Sequence, residues 1–469
     1  MLFLHKSILS KIFNIFISFY RRLKKLASIS VRIIIYKKLY FVHMLHLKQF
    51  YFLNFFVILI PAFLITGPFL TDLSVFILSI SFFFLIRDKK FFLNYFFIIF
   101  LIFWLITILS SILADNKILA IKSSFFYIRF CLFSVIFWFL IESNKKLLKQ
   151  IFFIISACFC LLIFDSIFQS INGENIFFMK IVEEGRVSSF FGDELKMGGY
   201  LMRFTPLLFA LSLYYIDLDN NFKFQFIGSI IIFLISISIF LSGERTSFFL
   251  FILTIVFFLI FLDKLKILKI CIIFFGILSS IVLIVSENNY KKRIIDLTLK
   301  QSNLENITNQ KFIFSRQYNE HYISAWRIFK DNKFLGIGPK NFREKCKEEK
   351  YNISELTCST HPHNIPLQLL SETGLLGFFI YFIFYIFIWL NLIKSFIYKI
   401  LFQKTFLNNF QISLLISLAI SFWPLSPSGN FFNNWISAVY YFQISIFLWS
   451  FKKSKKMYLK SSIFNLKKN

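Results

Sequence analysis

Apolar residues in this chain come in long, nearly unbroken runs, and the polar positions gather in short blocks between them. Runs close to the ~20 residues that a helix needs to cross a bilayer fall at 49–67, 69–86, 91–113, 120–141, 150–170, 197–215, 225–242, 246–262, 269–286, 364–390, 408–424 and 435–451. The pattern predicts an all-α polytopic membrane protein with about twelve transmembrane helices. Nine of these helices would lie in 49–286, a long outer loop in 287–363, and the last three in 364–451. Residues 1–48 alternate basic and apolar stretches with no clean span and no small-residue cleavage site. They read as an interfacial or cytoplasmic amphipathic segment, and 452–469 as a basic cytoplasmic tail.

Composition agrees with the pattern. Of 469 residues 57% are hydrophobic, mean hydropathy is +0.70 and there are 72 phenylalanines, well beyond the apolar share of a soluble domain. The richness in Phe, Ile, Lys and Asn reads as genomic bias, so no single aromatic carries weight. A formal charge of +28 would point to nucleic acid in a soluble protein. Here the cations sit in blocks between apolar runs: RRLKK (21–25), RDKK (87–90), NKKLLK (144–149), DKLKILK (263–269), KSFIYKILFQK (394–404) and KKSKK (452–456). That is the positive-inside pattern, which reports orientation. It makes the lipid bilayer the partner and gives nucleic acid no role. An even number of crossings then puts both termini in the cytoplasm. The basic surplus of the long loop 287–363 does not conflict, because long translocated segments are exempt.

A loop of that length is expected to hold helices of its own. EHYISAWRIFKDN (320–332) has the spacing for one, and GIGPKNF (336–342) the punctuation of its exit. Cys346 and Cys358 both lie in this loop, and a disulfide between them is open if that face is oxidising. Cys131, Cys158, Cys160 and Cys271 fall in apolar runs as small apolar side chains. No internal repeat is visible.

The chemistry gathers on the outer face. In STHPHNIPLQLLSETGLLGFF (359–379) two of the chain's six histidines, His361 and His363, stand at the start of a helix. Pro362 and Pro366 hold the approach extended and suit a first helical turn. A histidine there can exchange protons near neutral pH, beside amides that favour anions. The plainer reading is a cap or a headgroup anchor. Glu372, nine residues on from His363, would lie on the opposite side of a regular helix at about 100° per residue. Gly374 and Gly377 read as a site of close approach by a neighbouring helix. Metal is not expected, since the two imidazoles have no third histidine on that face beyond His321 and no HExxH motif is present.

Arginines are the stronger signal. Arg129 lies inside SSFFYIRFCLFSVIFWF, where a cation is costly unless it faces a polar interior. Arg245 stands in the turn LSGERTSFF, Arg186 in EEGRVSSFFGDELKMGGYL, and Arg316 and Arg327 beside the expected loop helix. Snorkelling to headgroups accounts for any one of them, but less well for Arg129 together with Arg245. As a group they suit phosphate or pyrophosphate. An anionic lipid-linked substrate at the outer face follows, with a histidine to remove a proton and arginines to hold developing charge.

These residues resemble the bacterial O-antigen ligase and polymerase superfamily of membrane glycosyltransferases. The ligase signature is His, then Asn, Ser or Gln, nine residues, Gly, two residues, and Gly, Thr or Tyr. It is matched by His363, Asn364, IPLQLLSET, Gly374, LL and Gly377, after a long outer loop. SGERTSFF, SAWRIFKDNKFLGIGPKNF and PLSPSGNFFNNW (424–435) are similar to family segments, so the resemblance spans about 50–450.

It implies a metal-independent, cofactor-free enzyme of the inner membrane. Its fold would be like that of integral-membrane glycosyltransferases of the GT-C class, with a helical periplasmic lid. The enzyme would move a glycan, with inversion, from undecaprenyl pyrophosphate to a lipid A–core hydroxyl at the periplasmic face. His363 would match the family histidine, with His361 and Asn364 as secondary candidates, and Arg245 a pyrophosphate-holding arginine. Arg316 and Arg327 compete for a second such place. A polymerase, or a ligase with a protein acceptor, shares donor and topology and remains open. A transporter of the same lipid-linked sugar would be expected to show repeated halves and broken helices, and neither is legible.

Overall fold

The computed structural model describes residues 50–216, 221–285, 289–301 and 315–466. The amphipathic segment expected over 1–48 lies outside the described residues. The chain divides after Phe55, and the architecture that positions the site lies within the second unit, which begins at Phe56.

The described residues form an all-helical chain: α1 (Phe50–Thr66), α2 (Pro68–Leu85), α3 (Tyr95–Ile112), α4 (Lys117–Phe125), α5 (Ile128–Ser143), α6 (Lys146–Asn172), α7 (Met197–Tyr215), α8 (Phe222–Leu241), α9 (Arg245–Phe261), α10 (Lys266–Val285), α11 (Arg316–Asp331), α12 (Ile365–Phe402), α13 (Asn409–Ser421) and α14 (Asn434–Leu466). Among the described residues each expected run is largely helical. Among the described residues six spans are long and apolar enough to cross a membrane: α2, α3, α4–α5 taken together, α6, α8 and α12. Helices α1, α9 and α13 are apolar but shorter. The chain is therefore a polytopic α-helical membrane protein. Several helices outrun the expected limits, and α14 continues to Leu466 through the basic tail.

Asparagines set many of the helix starts. The side chains of Asn94, Asn116, Asn221 and Asn408 each accept an amide N–H of the first turn, and Asn408 with Gln411 completes a reciprocal capping box. The run expected as one helix over 120–141 is broken at Phe126 and Tyr127. There the Trp104 indole N–H takes the carbonyls of Ser124 (3.0 Å) and Phe125 (3.3 Å), and the Arg129 amide turns instead to Phe126 O. In the bundle α5 packs between α2 and α14, and α13 sits against α7, α9, α12 and α14.

The long segment before α12 builds a small core of its own from Ala325, Ile328, Ile337, Phe342, Cys346 and Tyr351. A disulfide joins Cys346 to Cys358 within it (Cα–Cα 5.4 Å). Ser315 caps α11. On that helix the Glu320 carboxylate accepts from the hydroxyls of Ser354 and Thr357, tying α11 to the segment that leads to the histidines.

Helix α12 is not regular, contrary to the expectation that no helix is broken. At Gly374 the backbone turns to φ 65°, ψ −167°, a conformation essentially reserved for glycine. Loop residues 333–338 enter the break and take up its backbone groups. Leu375 N–H bonds Lys333 O (2.8 Å), Ile337 N–H bonds Ser371 O (3.0 Å) and Gly338 N–H bonds Glu372 O (2.9 Å). Non-helical backbone at a membrane surface is stable when protein satisfies it in this way. Gly374 thus admits a loop rather than the helix expected from its spacing with Gly377. A Cβ on Gly374 would strike the backbone of Phe334 and Leu335, and one on Gly377 the Thr373 side chain.

Asn364, the second position of the signature, caps α12. Its Oδ1 accepts from Leu367 N–H (3.1 Å) and its Nδ2 donates to Pro424 O (2.8 Å). Asn364→Ala is expected to cost about 0.5–2 kcal/mol, read as a lowered midpoint in thermal unfolding. Asn364→Ser, which can still cap, should recover part of it.

Candidate active site

A cavity of about 520 Å³ lies where α7, α9, α11, the loop 332–364 between α11 and α12 (the lid loop) and the α13–α14 connection converge. Four cations line it: Lys196 just before α7, Arg203 nearly two turns inside α7, and Lys340 and Arg343 from the lid loop. Glu244 is its one lining carboxylate. His361 and His363 form part of its wall, with Ser428 and Trp435 opposite in sequence.

Glu244 is tied down. Its oxygens accept from the N–H groups of Gly198 (2.8 Å) and Gly199 (3.0 Å) at the start of α7 and from Ser247 Oγ (2.9 Å). Gly198 is needed for that approach, because a Cβ there would meet Ser242 Oγ and the Glu244 carboxylate. Burial pushes the Glu244 carboxyl above its ordinary pKa, against the opposing hydrogen bond from Ser247 and the charge of Arg186. Arg203 reaches back to Gly199 O (3.0 Å).

The histidines form a cluster of three. His361 and His363 have ring centroids 3.9 Å apart, and His321 of α11 stacks on His363 at 5.4 Å. Tyr318, one turn earlier on α11, meets His363 edge-on at 5.4 Å. His361 is fully bonded, with Nε2 on Ser428 O (3.1 Å) and Nδ1 on Thr360 Oγ1 (2.9 Å). A carbonyl only accepts, so Nε2 carries the proton. The Nε2 of His363 meets the Ser359 hydroxyl (3.1 Å), which can rotate to give or take a proton. His363 itself has φ 56°, and its carbonyl accepts from Ser428 N–H (2.8 Å).

The other arginines expected at the site stand outside this cavity's lining. Arg245 begins α9 next to it, bonds Gln301 Oε1 (2.8 Å) and feels the charges of Arg293 and Arg186 and the Tyr318 phenol. Arg186 pairs with Glu183 (3.1 Å). Arg316 is exposed and pairs with Glu320 (3.0 Å), and Arg327 is exposed on α11. Arg129 pairs with Asp72 (3.3 Å) and lines a separate space. Residues 230–382 match the family model described as O-antigen ligase. That segment belongs to the O-antigen ligase family. A comparison with curated proteins finds no match.

The O-antigen ligase segment holds Arg245, the whole lid, the histidines and both signature glycines, whereas Lys196, Arg203 and Arg129 precede it. Sequence reading passed over Lys196, Arg203, Lys340, Arg343, Glu244 and His321 as site residues. Arg203 carried a usable signal, a cation within an apolar helical run, the same one that drew attention to Arg129. Lys340 and His321 carried none, since only the folded lid brings them to His363.

Burial, then the neighbouring His321, lowers the His363 pKa to about 4. Burial, then His363, lowers that of His361 to about 3. Burial also lowers His321. Both signature-loop histidines are therefore neutral at pH 7 when the cavity is empty. An unfolded histidine binds its proton near pH 6.5, so the unfolded state takes up more protons on acidification. Stability should be full above about pH 6.5 and fall as pH drops toward 4, by about 1.4 kcal/mol per unit for each histidine still neutral in the fold. Thermal unfolding between pH 4 and 8 tests this, and His361→Asn should flatten the slope.

Proposed function

We propose that the chain is a glycosyltransferase that moves a glycan from undecaprenyl pyrophosphate to an acceptor hydroxyl on lipid A–core, at the periplasmic face of the inner membrane. The observation that carries the reading is one cavity lined by four side-chain cations together with a histidine pair, with space enough for a sugar pyrophosphate. Four cations against one hydrogen-bonded carboxylate suit a pyrophosphate, first as bound donor and then as leaving group. They supply the positive charge for which a divalent ion is otherwise used, so the reaction is taken to be metal-independent.

In the step proposed, the acceptor oxygen attacks the anomeric carbon while the bond to the β-phosphate oxygen breaks. A single displacement inverts that carbon. The hydroxyl proton passes to neutral His363, and undecaprenyl pyrophosphate leaves with the bonding electrons among Lys196, Arg203, Lys340 and Arg343. A nearby pyrophosphate raises the proton affinity of His363 from its low resting value, because an anion favours the imidazolium. Arg245, Arg186, Arg316 and Arg327 stand further out, as candidate contacts for the rest of the donor. Asn364 acts through the α12 cap that sets the His363 loop.

The test uses full-length protein, an undecaprenyl pyrophosphate-linked glycan, truncated lipid A–core and EDTA, with products resolved on a gel. Glycan-bearing lipid A–core is the expected product, and Arg203→Gln should raise the donor KM. Longer glycans still on undecaprenyl pyrophosphate would make the chain a polymerase. No transfer of either kind by folded protein would overturn the reading.

A further inference from the structure

Lys340 lines two cavities. The second, of about 280 Å³, opens between α4, α5 and the start of α14, and its charged lining is Lys122, Arg129 and Lys340. No carboxylate is among its lining residues. Asp72 lies behind it and is already engaged, one oxygen with Arg129 (3.3 Å) and the other with Asn434 Nδ2 (2.6 Å). Arg129 Nε is buried without a hydrogen-bond partner.

The rest of the lining is mainly aromatic, from Phe126, Tyr127, Phe130 and Phe432. Alongside, α4 exposes Ile118, Ile121 and Phe125, an apolar approach of the kind a lipid-facing surface presents. Cations at the end of an apolar approach recognise an anion carried on an amphiphile.

Lys340 is held between the two spaces by the chain. Its φ is 62°, and the next residue, Asn341, accepts the Asn116 N–H (3.0 Å), docking the lid loop on the α3–α4 turn. The Lys340 ammonium is held below its ordinary pKa by burial first and then by Arg343 and Arg129, with Glu372 and Asp72 opposing. Arg343 lines the first cavity and Arg129 the second.

We propose that the second cavity binds the phosphate of another anionic amphiphile, so that Lys340 stands between two phosphorylated lipids held at the same time. The proposal rests on the reading of the first cavity as the donor site. Two sources share the chemistry: a phosphorylated lipid acceptor and an anionic lipid of the bilayer.

The experiment uses full-length protein in nanodiscs of neutral lipid and measures binding of short-chain phosphatidic acid against the matching diacylglycerol. Phosphatidic acid should bind more tightly by about tenfold or more, the effect of one charge-assisted contact. Lys122→Glu, at an exposed position, should abolish that preference, and Arg203→Gln should leave it. The proposal is overturned if Arg203→Gln abolishes the preference while Lys122→Glu does not, or if no preference exists. This arm needs no turnover, so its result stands even if the transferase reading fails.

Transfer assays then separate the sources. A phosphorylated acceptor predicts a raised acceptor KM on removing its phosphate or in Lys122→Glu, with donor KM unchanged. A bilayer lipid predicts instead that anionic lipid alters the rate whatever the acceptor carries.

Discussion

His363→Ala is expected to lower glycan transfer by about 10²–10⁴-fold, the usual worth of a positioned general base, with donor binding nearly unchanged. The loss should appear in kcat, because proton removal belongs to the transition state rather than to the bound complex. His361 makes the informative comparison. Both of its ring nitrogens are committed, one to the Ser428 carbonyl and one to Thr360, so it fixes the loop and has no nitrogen to offer an acceptor. His361→Ala should therefore lower stability more than His363→Ala and kcat less. His363 has φ 56°, a conformation that asparagine tolerates better than most side chains. His363→Asn keeps the backbone fitting, removes the base, and should be as inactive as His363→Ala while melting close to wild type. Full activity in His363→Asn would remove His363 from the proton-transfer role, and inactivity confined to His361→Ala would transfer that role to His361.

The helices were legible because a bilayer leaves backbone polar groups no partner but the helix itself, which forces long apolar runs. The lid helix could be read for a similar reason, since α11 is amphipathic over its own small core. His363 and Asn364 could be found through a spacing. What stayed hidden depended on backbone geometry. A spacing of Gly374 to Gly377 is compatible with helix packing or with a break, and only the loop backbone at 333–335 decides between them. The arginines show the opposite limit. Charge in an apolar run drew attention to Arg129, which pairs with Asp72, but the same argument gave no way to separate the two cavities, because Lys340 joins them from a distant loop. Arg316 and Arg327 looked equivalent by sequence, and on α11 both face outward.

Gly374→Ala is expected to destabilise the protein by about 3 kcal/mol or more, which is exceptional for adding one methyl group. Two costs combine. Alanine at φ 65°, ψ −167° occupies a region that costs about 1–3 kcal/mol outside glycine. The new Cβ would also overlap the carbonyl of Phe334 and the amide of Leu335, and a backbone cannot rotate aside as a flexible side chain can. Relief requires the loop to leave the break, which strands Ser371 O and Leu375 N–H and leaves Glu372 O with the Ser110 hydroxyl alone. Because that loop continues to Lys340 and Arg343, transfer should fall together with stability, and limited proteolysis should cut within 333–345. Gly276→Ala is the control: its Cβ would meet open space on a helix, where alanine is favoured over glycine by about 0.5–1 kcal/mol. The same chemical change should thus stabilise at Gly276 and unfold the lid at Gly374. A Gly374→Ala protein with wild-type melting and an uncut lid would mean that the loop does not occupy the break, and the docking that carries Lys340 to both cavities would have to be abandoned.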